Sequence, residues 1–247
     1  MIPDLSRRAE EPERMDRADC DAGLLLRTID QFRITNALFS RYRAILRRWV
    51  LDDMRRDAGR DYHFVDLGAG GLDIPLWLAR AARRSGLRLR ITAVESDARV
   101  VEHVRPRAGA DIRLVQEDAL AFLERTADAD YIFCNHFLHH LPGPAMPVFL
   151  ARLARAARRR FIVSDLLRSA WSYAGYALFA GLFLRRSFAR YDGLLSIRRG
   201  FRPEELAELA REAGLAGRVE AHRLAIGRLA LVGEGEPGAT GGARPGS

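Results

Sequence analysis

The chain has 247 residues, of which 48% are hydrophobic and 29% are charged, and its formal net charge is +8. This length allows one large α/β domain with a substantial core, and it excludes two ordinary domains with linkers. The composition fits a soluble globular protein.

The positive charge comes from arginine alone. The sequence contains no lysine, so arginine supplies all 40 basic residues. Arginines cluster at the ends of helical stretches, as at 83–84 and 158–160, where they complement the helix dipole and stay solvated. This uniformity indicates a GC-rich coding bias more than an adaptation to nucleic acid, although a basic patch for RNA stays open as the alternative.

Cysteine content and the first residues bear on location. Cys20 and Cys134 are far apart and lack metal-ligand spacing, which favours a reducing cytoplasm and argues against a zinc site. Residues 1–18 are charged and contain Pro3 and Pro12, so we expect no signal peptide and a disordered or loosely attached segment. The expected location is therefore cytoplasmic.

Apolar residues recur at helical spacing before the first predicted strand. The pattern runs from residue 19 to about residue 58 and predicts two or three helices that belong to no βα repeat.

The most informative stretch is a strand that breaks into glycines. Residues 62–67 form an aromatic and β-branched run typical of a buried strand, and Gly68 and Gly70 follow directly. A helical pattern over residues 74–84 comes next, with Asp73 as its expected N-cap. The stretch therefore predicts a strand, a nucleotide-binding turn and a helix N-terminus.

Two carboxylates flank this turn, Asp66 at the strand end and Asp73 at the helix mouth. A dinucleotide fingerprint would carry a glycine in place of Asp73. Carboxylates at these positions repel a pyrophosphate but suit a cationic ligand. The sulfonium and ammonium groups of S-adenosylmethionine (SAM) make that ligand the better candidate than NAD.

An acid followed by G-x-G at the end of the first strand resembles the first motif of class I SAM-dependent methyltransferases. Within that class the chain resembles the ubiquinone/menaquinone-type small-molecule methyltransferases, and more loosely those that methylate phenolic products of polyketide synthases. The resemblance covers approximately residues 60–232. It implies a Rossmann-like doubly wound sheet of seven strands with an antiparallel C-terminal hairpin, and S-adenosyl-L-methionine as the cofactor.

The resemblance also implies that the N-terminal helices, residues 19–58, fold over the cofactor and form one wall of the substrate pocket. Candidates to reach the methionine carboxylate or a substrate oxygen are Arg33, Asn36, Tyr42 and Arg43. Ordinary helix surface is the alternative for each.

Later strand ends supply further candidates for cofactor contacts. A predicted strand over residues 89–94 ends in Glu95, 29 residues after Asp66, close to the spacing of a ribose-binding acid. A third strand over residues 112–115 precedes Asp118, which the resemblance places at the adenine amino group, with a helix N-cap as the other interpretation. The predicted cofactor-binding residues are Asp66, Gly68, Gly70, Glu95, Ser96, Asp118, Ala119 and Asn135.

The fourth predicted strand, residues 130–135, carries three of the six histidines to the sheet edge where ligands bind. Histidine is the side chain best suited to remove a proton from a phenol near neutral pH. We therefore predict a catalytic base at His136 or His139 and a structural role for His140, and we predict no metal site.

An insertion over residues 166–200 follows a fifth strand at 160–164. Its residues 171–184 carry no charge, but as a helix they would be about 21 Å long, short of the roughly 30 Å hydrocarbon core. We interpret this stretch as a lid over an apolar substrate, with peripheral membrane contact as the alternative. The return segment is predicted to be a polar loop with three substrate-side candidates, Tyr191, Asp192 and Arg198.

The C-terminal part contains a helix that begins near Pro203 and two strands, 217–224 and 226–232, which fit an antiparallel hairpin. A glycine-rich tail, residues 233–247, is predicted to be disordered. The domain is thus expected to span residues 19–232.

The predicted reaction is O-methylation of an apolar phenolic or quinol-like secondary metabolite, with the acceptor about 3 Å from the methyl group. The partner is therefore a small aromatic molecule, and self-association is left open. C-methylation of an aromatic or quinone precursor is the nearest alternative. A nucleic-acid methyltransferase is disfavoured because Asn135 precedes His136-Phe137-Leu138 rather than a D/N-P-P-Y/F turn. A non-catalytic binding module is a third possibility.

Overall fold

A seven-stranded sheet forms the centre of the computed structural model, which describes residues 3–126 and 129–235. The strands are β1 Asp61–Leu67, β2 Arg88–Glu95, β3 Ile112–Gln116, β4 Ala129–Asn135, β5 Ala157–Leu166, β6 Val219–Leu224 and β7 Arg228–Glu234. Their order is β3-β2-β1-β4-β5-β7-β6. Strands β1 to β5 run parallel, and β7 lies antiparallel between β5 and β6. The predicted α/β fold with its C-terminal hairpin is confirmed.

Helices cover both faces of the sheet. They are α1 Ala22–Phe39, α2 Tyr42–Leu46, α3 Asp52–Met54, α4 Asp73–Arg84, α5 Ala98–Ala108, α6 Ala119–Arg125, α7 Ala145–Ala156, α8 Ala170–Phe183, α9 Ala189–Arg199 and α10 Pro203–Glu212. A π-helical turn, Arg47–Leu51, joins α2 to α3. The N-terminal helices predicted from apolar periodicity are therefore present.

The two faces of β1 belong to two separate cores. Tyr62 and Phe64 pack with side chains of α1 to α5, whereas Val65 and Leu67 pack with α6, α7 and α10. A parallel strand covered by helices on both sides is buried along its length, which explains the continuous apolar run in the sequence. Cys134 is fully buried in the second core, as expected.

The site-forming feature of this topology is the divergence at β1 and β4. These strands are neighbours, with Leu67 opposite Cys134, yet the chain proceeds from β1 outward to β2 and from β4 outward to β5. Connections that diverge in this way leave a crevice at the carboxyl ends of the two strands. The glycine turn and the histidine loop meet at that crevice.

The N-terminal segment packs against the domain, which corrects the expectation of disorder over residues 1–18. Glu13 is only 1% exposed. The backbone N–H groups of Arg14 and Met15 donate to the carboxylate of Asp192 at 2.9 and 3.0 Å. This segment is held by polar contacts to distant residues rather than by an apolar face. Its packing therefore leaves no apolar periodicity in the sequence from which it could be predicted. The first two residues lie outside the described part of the chain.

The insertion forms two helices, α8 and α9, so the predicted polar return loop is wrong. Asp192 is fully buried and caps the N-terminal segment. The guanidinium of Arg14 lies over the Tyr191 ring, 4.0 Å from its centroid, and Arg198 pairs with Glu11 at 3.4 Å. The three substrate-side candidates of this stretch thus face the N-terminal segment instead.

The outer face of α8 is apolar and exposed, with exposed fractions of 89% for Trp171 and 68% for both Leu178 and Phe183. Across the described residues, every helix is too short or too polar to cross a bilayer. Peripheral membrane contact through residues 171–184 stays a prediction. Strand β7 includes the first two positions of the predicted tail, and residues 236–247 lie outside the described residues.

A buried carboxylate joins the N-terminal helices to the sheet. Asp53 in α3 is 5% exposed and accepts hydrogen bonds from the Tyr131 hydroxyl at 2.6 Å and from Arg159 Nε at 2.8 Å. Both donors belong to central strands, so this carboxylate fixes where the N-terminal helices sit on the sheet.

We expect Asp53→Ala to lower the free energy of unfolding by about 1–3 kcal/mol, because the buried Tyr131 hydroxyl loses its acceptor. The matched control is Asp52→Ala, since Asp52 is 56% exposed and forms a surface ion pair with Arg55. Its expected loss is below about 0.5 kcal/mol. Urea unfolding monitored by circular dichroism gives both values, and equal losses would contradict the assigned role of Asp53.

Candidate active site

A cavity of about 810 Å³ opens at the carboxyl ends of β1 and β4. It lies within the size range of small-molecule sites. All ten predicted site residues line it, and they are Asp66, Gly68, Gly70, Glu95, Ser96, Asp118, Ala119, Asn135, His136 and His139. Residues separated by up to 73 positions in the sequence therefore share one site.

The glycine turn lies against the cavity with little room for side chains. Gly68 has φ +68°, and a Cβ on it would lie 2.6 Å from Phe137 Cδ2. Gly70 has φ +45°, but the nearest atom to an added Cβ is 4.0 Å away. The first glycine is thus required by packing against the histidine loop. The second leaves space through which a ligand can approach the backbone.

The helix after the turn begins one residue earlier than the sequence predicts. Leu72 is the N-cap in the left-handed region, φ 59°, and Asp73 is the first helical residue, so Asp73 is not the cap. Its carboxylate points to the cavity, and burial raises its pKa to about 6. A carboxylate in the first turn is still favoured by the helix dipole, which leaves it available to a cation.

Asp66 presents an unsatisfied carboxylate at the end of β1. It is 2% exposed, and its buried Oδ2 has no hydrogen-bond partner. Burial, reinforced by the negative charges of Asp73 and Glu95, raises the pKa of Asp66 well above its usual value. An ionised group in this position needs a positive ligand to offset its desolvation.

Glu95 ends β2 beside the glycine turn. Its Oε2 accepts from the Gly70 N–H at 3.0 Å and its Oε1 accepts from the Asp97 N–H at 3.1 Å. Burial raises its pKa. The contact with Gly70 ties the predicted ribose-binding acid directly to the turn.

Asp118 acts as a helix cap at the cavity rim. Its Oδ1 accepts from the backbone N–H groups of Leu120 and Ala121 at 2.9 and 3.0 Å, which confirms the capping interpretation. A contact with adenine stays a prediction for this residue, since the carboxylate is exposed and borders the cavity.

Helix α1 covers the turn, and two of the four candidates in the N-terminal helices reach the cavity. Arg33 and Asn36 line it, and the stem of Arg33 passes so close to Gly71 that a Cβ there would be 2.3 Å from Arg33 Cγ. Tyr42 and Arg43 lie in a separate shallow depression, where Arg43 Nε donates to the Tyr42 hydroxyl at 3.2 Å. The latter two therefore do not reach the main cavity.

His136 is held by a buried arginine that was not among the predicted site residues. Arg228, 1% exposed at the start of β7, places Nη1 2.5 Å from His136 Nε2 and donates from Nη2 to Asn135 Oδ1 at 2.8 Å. Burial and the Arg228 charge hold the pKa of His136 well below its usual value. His136 also adopts φ +55°, a conformation rare for residues other than glycine and often found at functional sites.

His139 lies between two carboxylates. Its Nδ1 is 2.6 Å from Asp165 Oδ1 and its Nε2 is 3.3 Å from Glu13 Oε1. Although burial opposes it, the charges of Asp165 and Glu13 raise the pKa of His139 to about 9. The imidazole is therefore cationic at neutral pH, with both ring nitrogens protonated. A cation cannot accept a proton, so this geometry disfavours His139 as the catalytic base that the sequence predicts.

The site also contains three residues that the sequence did not predict for it: Glu13, Asp165 and Arg228. Asp165 follows the fifth predicted strand, so its position at the sheet edge was a usable signal. Glu13 and Arg228 lie in an irregular segment and at a hairpin, and no local pattern marks either of them.

The chemistry of the groups that line the cavity suits SAM. Asp66 Oδ2 and Asp73 Oδ2 are buried without partners and suit an ammonium or sulfonium group. Gly70 leaves its backbone open, and Glu95 stands beside it with two acceptor oxygens.

Comparison with known proteins supports the same class. Residues 64–160 match a family model described as a methyltransferase domain. A search of curated proteins finds no match.

Three similar solved structures are also methyltransferases. Magnesium protoporphyrin IX methyltransferase (ChlM) from Synechocystis PCC 6803, solved with bound SAM, shares 13% identity over 78% of this chain and 77% of that chain, with a TM-score of 0.51. Human N-acetylserotonin methyltransferase (ASMT) in complex with SAM shares 15% identity over 87% and 56%, with a TM-score of 0.60. An O-methyltransferase family protein from Burkholderia thailandensis shares 15% identity over 84% and 59%, with a TM-score of 0.51. At these identities the likeness shows the fold.

The matched domain, the topology and the acid-lined glycine turn define the class of protein. The chain is a SAM-dependent methyltransferase with a class I fold. Its cofactor is SAM.

We expect Asp66→Asn to weaken SAM binding at least about tenfold, because one charged contact is lost. Without SAM the same variant should unfold at a higher temperature than wild type at pH 8. A raised folded-state pKa means that wild type loses stability as pH rises through this titration, and asparagine does not titrate. Calorimetry measures both quantities. Asp61→Asn, exposed at the opposite end of β1, is the control, and an unchanged SAM affinity in Asp66→Asn would contradict the site.

SAM affinity should also fall as pH is lowered through about 6, where the Asp73 carboxyl becomes protonated. A neutral carboxyl no longer attracts a cation, so binding near pH 6 should release protons. Titration calorimetry in two buffers of different ionisation enthalpy detects that release. Equal affinities at pH 5.5 and pH 8 would show that the acids do not bind the cofactor.

Proposed function

We propose that this enzyme transfers a methyl group from SAM to the oxygen of a small, apolar phenol or quinol. The supporting observation is that one cavity combines an acidic, glycine-lined wall with an aromatic wall and a buried arginine. The acidic wall suits the cofactor, and the remaining volume suits a flat apolar acceptor with one polar end.

The aromatic wall comes from the two elements that the sequence assigns to a cap. Phe32 and Phe39 of α1 and Tyr176 of α8 line the cavity, and the Phe39 and Phe179 rings pack edge to face at 4.8 Å. This ring contact joins α1 to α8 beside the cavity, and a cap of this kind would shield the acceptor side from water. This packing favours an apolar aromatic acceptor over a charged one.

On the cofactor side, SAM supplies an electrophilic methyl group on its sulfonium. We assign the ribose to Glu95 and the adenine to Asp118, with Ser96, Ala119 and Asn135 as further contacts. The ammonium group is assigned to Asp66. Arg33, whose buried Nε has no hydrogen-bond partner, is the candidate for the methionine carboxylate.

On the acceptor side, Arg228 is the group that favours oxygen as the methylated atom. Its pKa is lowered by burial to about 10, so it is cationic at neutral pH. A buried guanidinium stabilises a phenolate and thereby lowers the basicity that a catalytic base must supply. His136 is oriented by Arg228 and borders the same space, and its role as the general base stays a prediction.

C-methylation of an activated aromatic ring is the alternative reaction, and it would use the same two walls of the cavity.

A nucleic-acid acceptor is the second alternative, and the net charge of +8 is the feature that favours it. Nucleic-acid binding would be tight and strongly salt-dependent, so a binding titration at two salt concentrations distinguishes it.

The test is a screen of phenols and quinols with isotopically labelled SAM, with product NMR to separate methyl ethers from ring-methylated products. For an accepted phenol, Arg228→Met should lower kcat/KM at least about tenfold and SAM affinity by much less, because the phenolate loses its cation whereas the cofactor loses at most the orientation of Asn135. Arg211→Met, a surface substitution in α10, is the control. Transfer only to nucleic acid, or to no phenol at all, would contradict the proposal.

A further inference from the structure

Three potential metal ligands converge beside the acceptor end of the cavity. Glu13 Oε1 lies 3.3 Å from His139 Nε2 and 3.9 Å from His140 Nε2. The ligand atoms of all three residues lie within 4.8 Å of one another. They come from the N-terminal segment and from the loop after β4, so only folding brings them together.

Two atoms of this cluster are buried and poorly paired. Glu13 Oε2 has no hydrogen-bond partner, and His139 Nε2 has the 3.3 Å ion-pair contact with Glu13 Oε1 alone among the described residues; each of the two residues is 1% exposed. Buried polar atoms are normally satisfied, because leaving them unpaired costs free energy. A buried carboxylate oxygen without a partner, beside two histidines, is therefore a group that a bound cation would satisfy.

Each of the three side chains is also oriented by a second polar group. Asp165 Oδ1 is 2.6 Å from His139 Nδ1, and Asp16 Oδ2 is 2.8 Å from His140 Nδ1. A carboxylate on Nδ1 fixes each ring and directs Nε2 towards Glu13, as in metal-bound histidines, and a metal ion bound there would displace the Nε2 proton of His139. Ser196 Oγ in α9 likewise donates to Glu13 Oε1 at 2.7 Å.

We propose that Glu13, His139 and His140 bind a divalent transition-metal ion, with Zn²⁺ preferred. Zinc bonds of about 2.0–2.2 Å place tetrahedral ligand atoms about 3.4 Å apart, and the two separations from Glu13 Oε1, 3.3 and 3.9 Å, differ from that value by less than about 1 Å. Two imidazoles and one carboxylate suit zinc or ferrous iron, whereas magnesium prefers oxygen ligands alone.

Three protein ligands leave a coordination position free in a tetrahedral site. All three residues line the cavity, so that position is accessible from the acceptor side. The inference goes beyond the proposed function, because methyl transfer to a phenol oxygen does not require a metal. A metal site would also give Glu13 a function beyond the packing of the N-terminal segment.

The test uses the untagged full-length chain, stripped with a chelator and titrated with Co²⁺ as a spectroscopic probe for zinc. We expect one equivalent of Co²⁺ with visible d–d absorption, and zinc should displace it. His140→Ala and Glu13→Gln should each weaken binding at least about tenfold, and zinc should raise the unfolding temperature of wild type but not of these variants. Asp165→Asn should weaken binding about 10- to 100-fold through the orientation of His139.

His222→Ala is the matched control, because His222 is also partly buried and lies 3.3 Å from a carboxylate, that of Glu220, at the far edge of the sheet. It should bind Co²⁺ as wild type does. His140 is 24% exposed, so its replacement should leave the fold intact, and circular dichroism checks this. Absence of a stoichiometric Co²⁺ spectrum in the folded wild type, or equal binding by wild type and His140→Ala, would overturn the proposal and leave the cluster as an ion-paired clamp.

Discussion

The site depends on a carboxylate that the fold buries without neutralising it. Asp66 stands at the end of the central strand, and neighbouring Asp73 and Glu95 add negative charge rather than a counter-ion. Desolvating such a group costs free energy, which a cationic ligand recovers when it binds. Cofactor recognition and folding stability are therefore opposed at this residue, a common trade-off at functional sites.

The other end of the cavity is built from contacts that cross the whole chain. The N-terminal segment reaches α9 through Asp192 and Ser196, and it reaches the loop after β4 through the two adjacent histidines. These polar contacts close the wall that the sheet and α1 leave open. Truncation of the first residues would consequently alter the acceptor side of the cavity while leaving the glycine turn in place.

Arg228 shows how the antiparallel hairpin contributes to chemistry. Because β7 inserts between β5 and β6, its first residue lies beside the end of β5, where Ser164 Oγ is 3.3 Å from Arg228 Nη2. From there the guanidinium reaches Asn135 and His136 on the neighbouring loop. The final strands, which in the sequence look like simple closure of the sheet, thus supply a buried cation to the cavity.

The sequence by itself determined the βα framework, the glycine turn and the acids at the strand ends, because each depends on local patterning and on the rule that parallel strands share one carboxyl edge. It failed for Asp192, expected in a polar loop on the substrate side, and for Asp73, expected as a cap, because burial and backbone geometry are set by neighbours distant in the chain. Only the tertiary structure brought Glu13, Asp165 and Arg228 to the histidine loop. Their partners are more than 20 residues away, and polar contacts of that kind leave no periodic trace in a sequence.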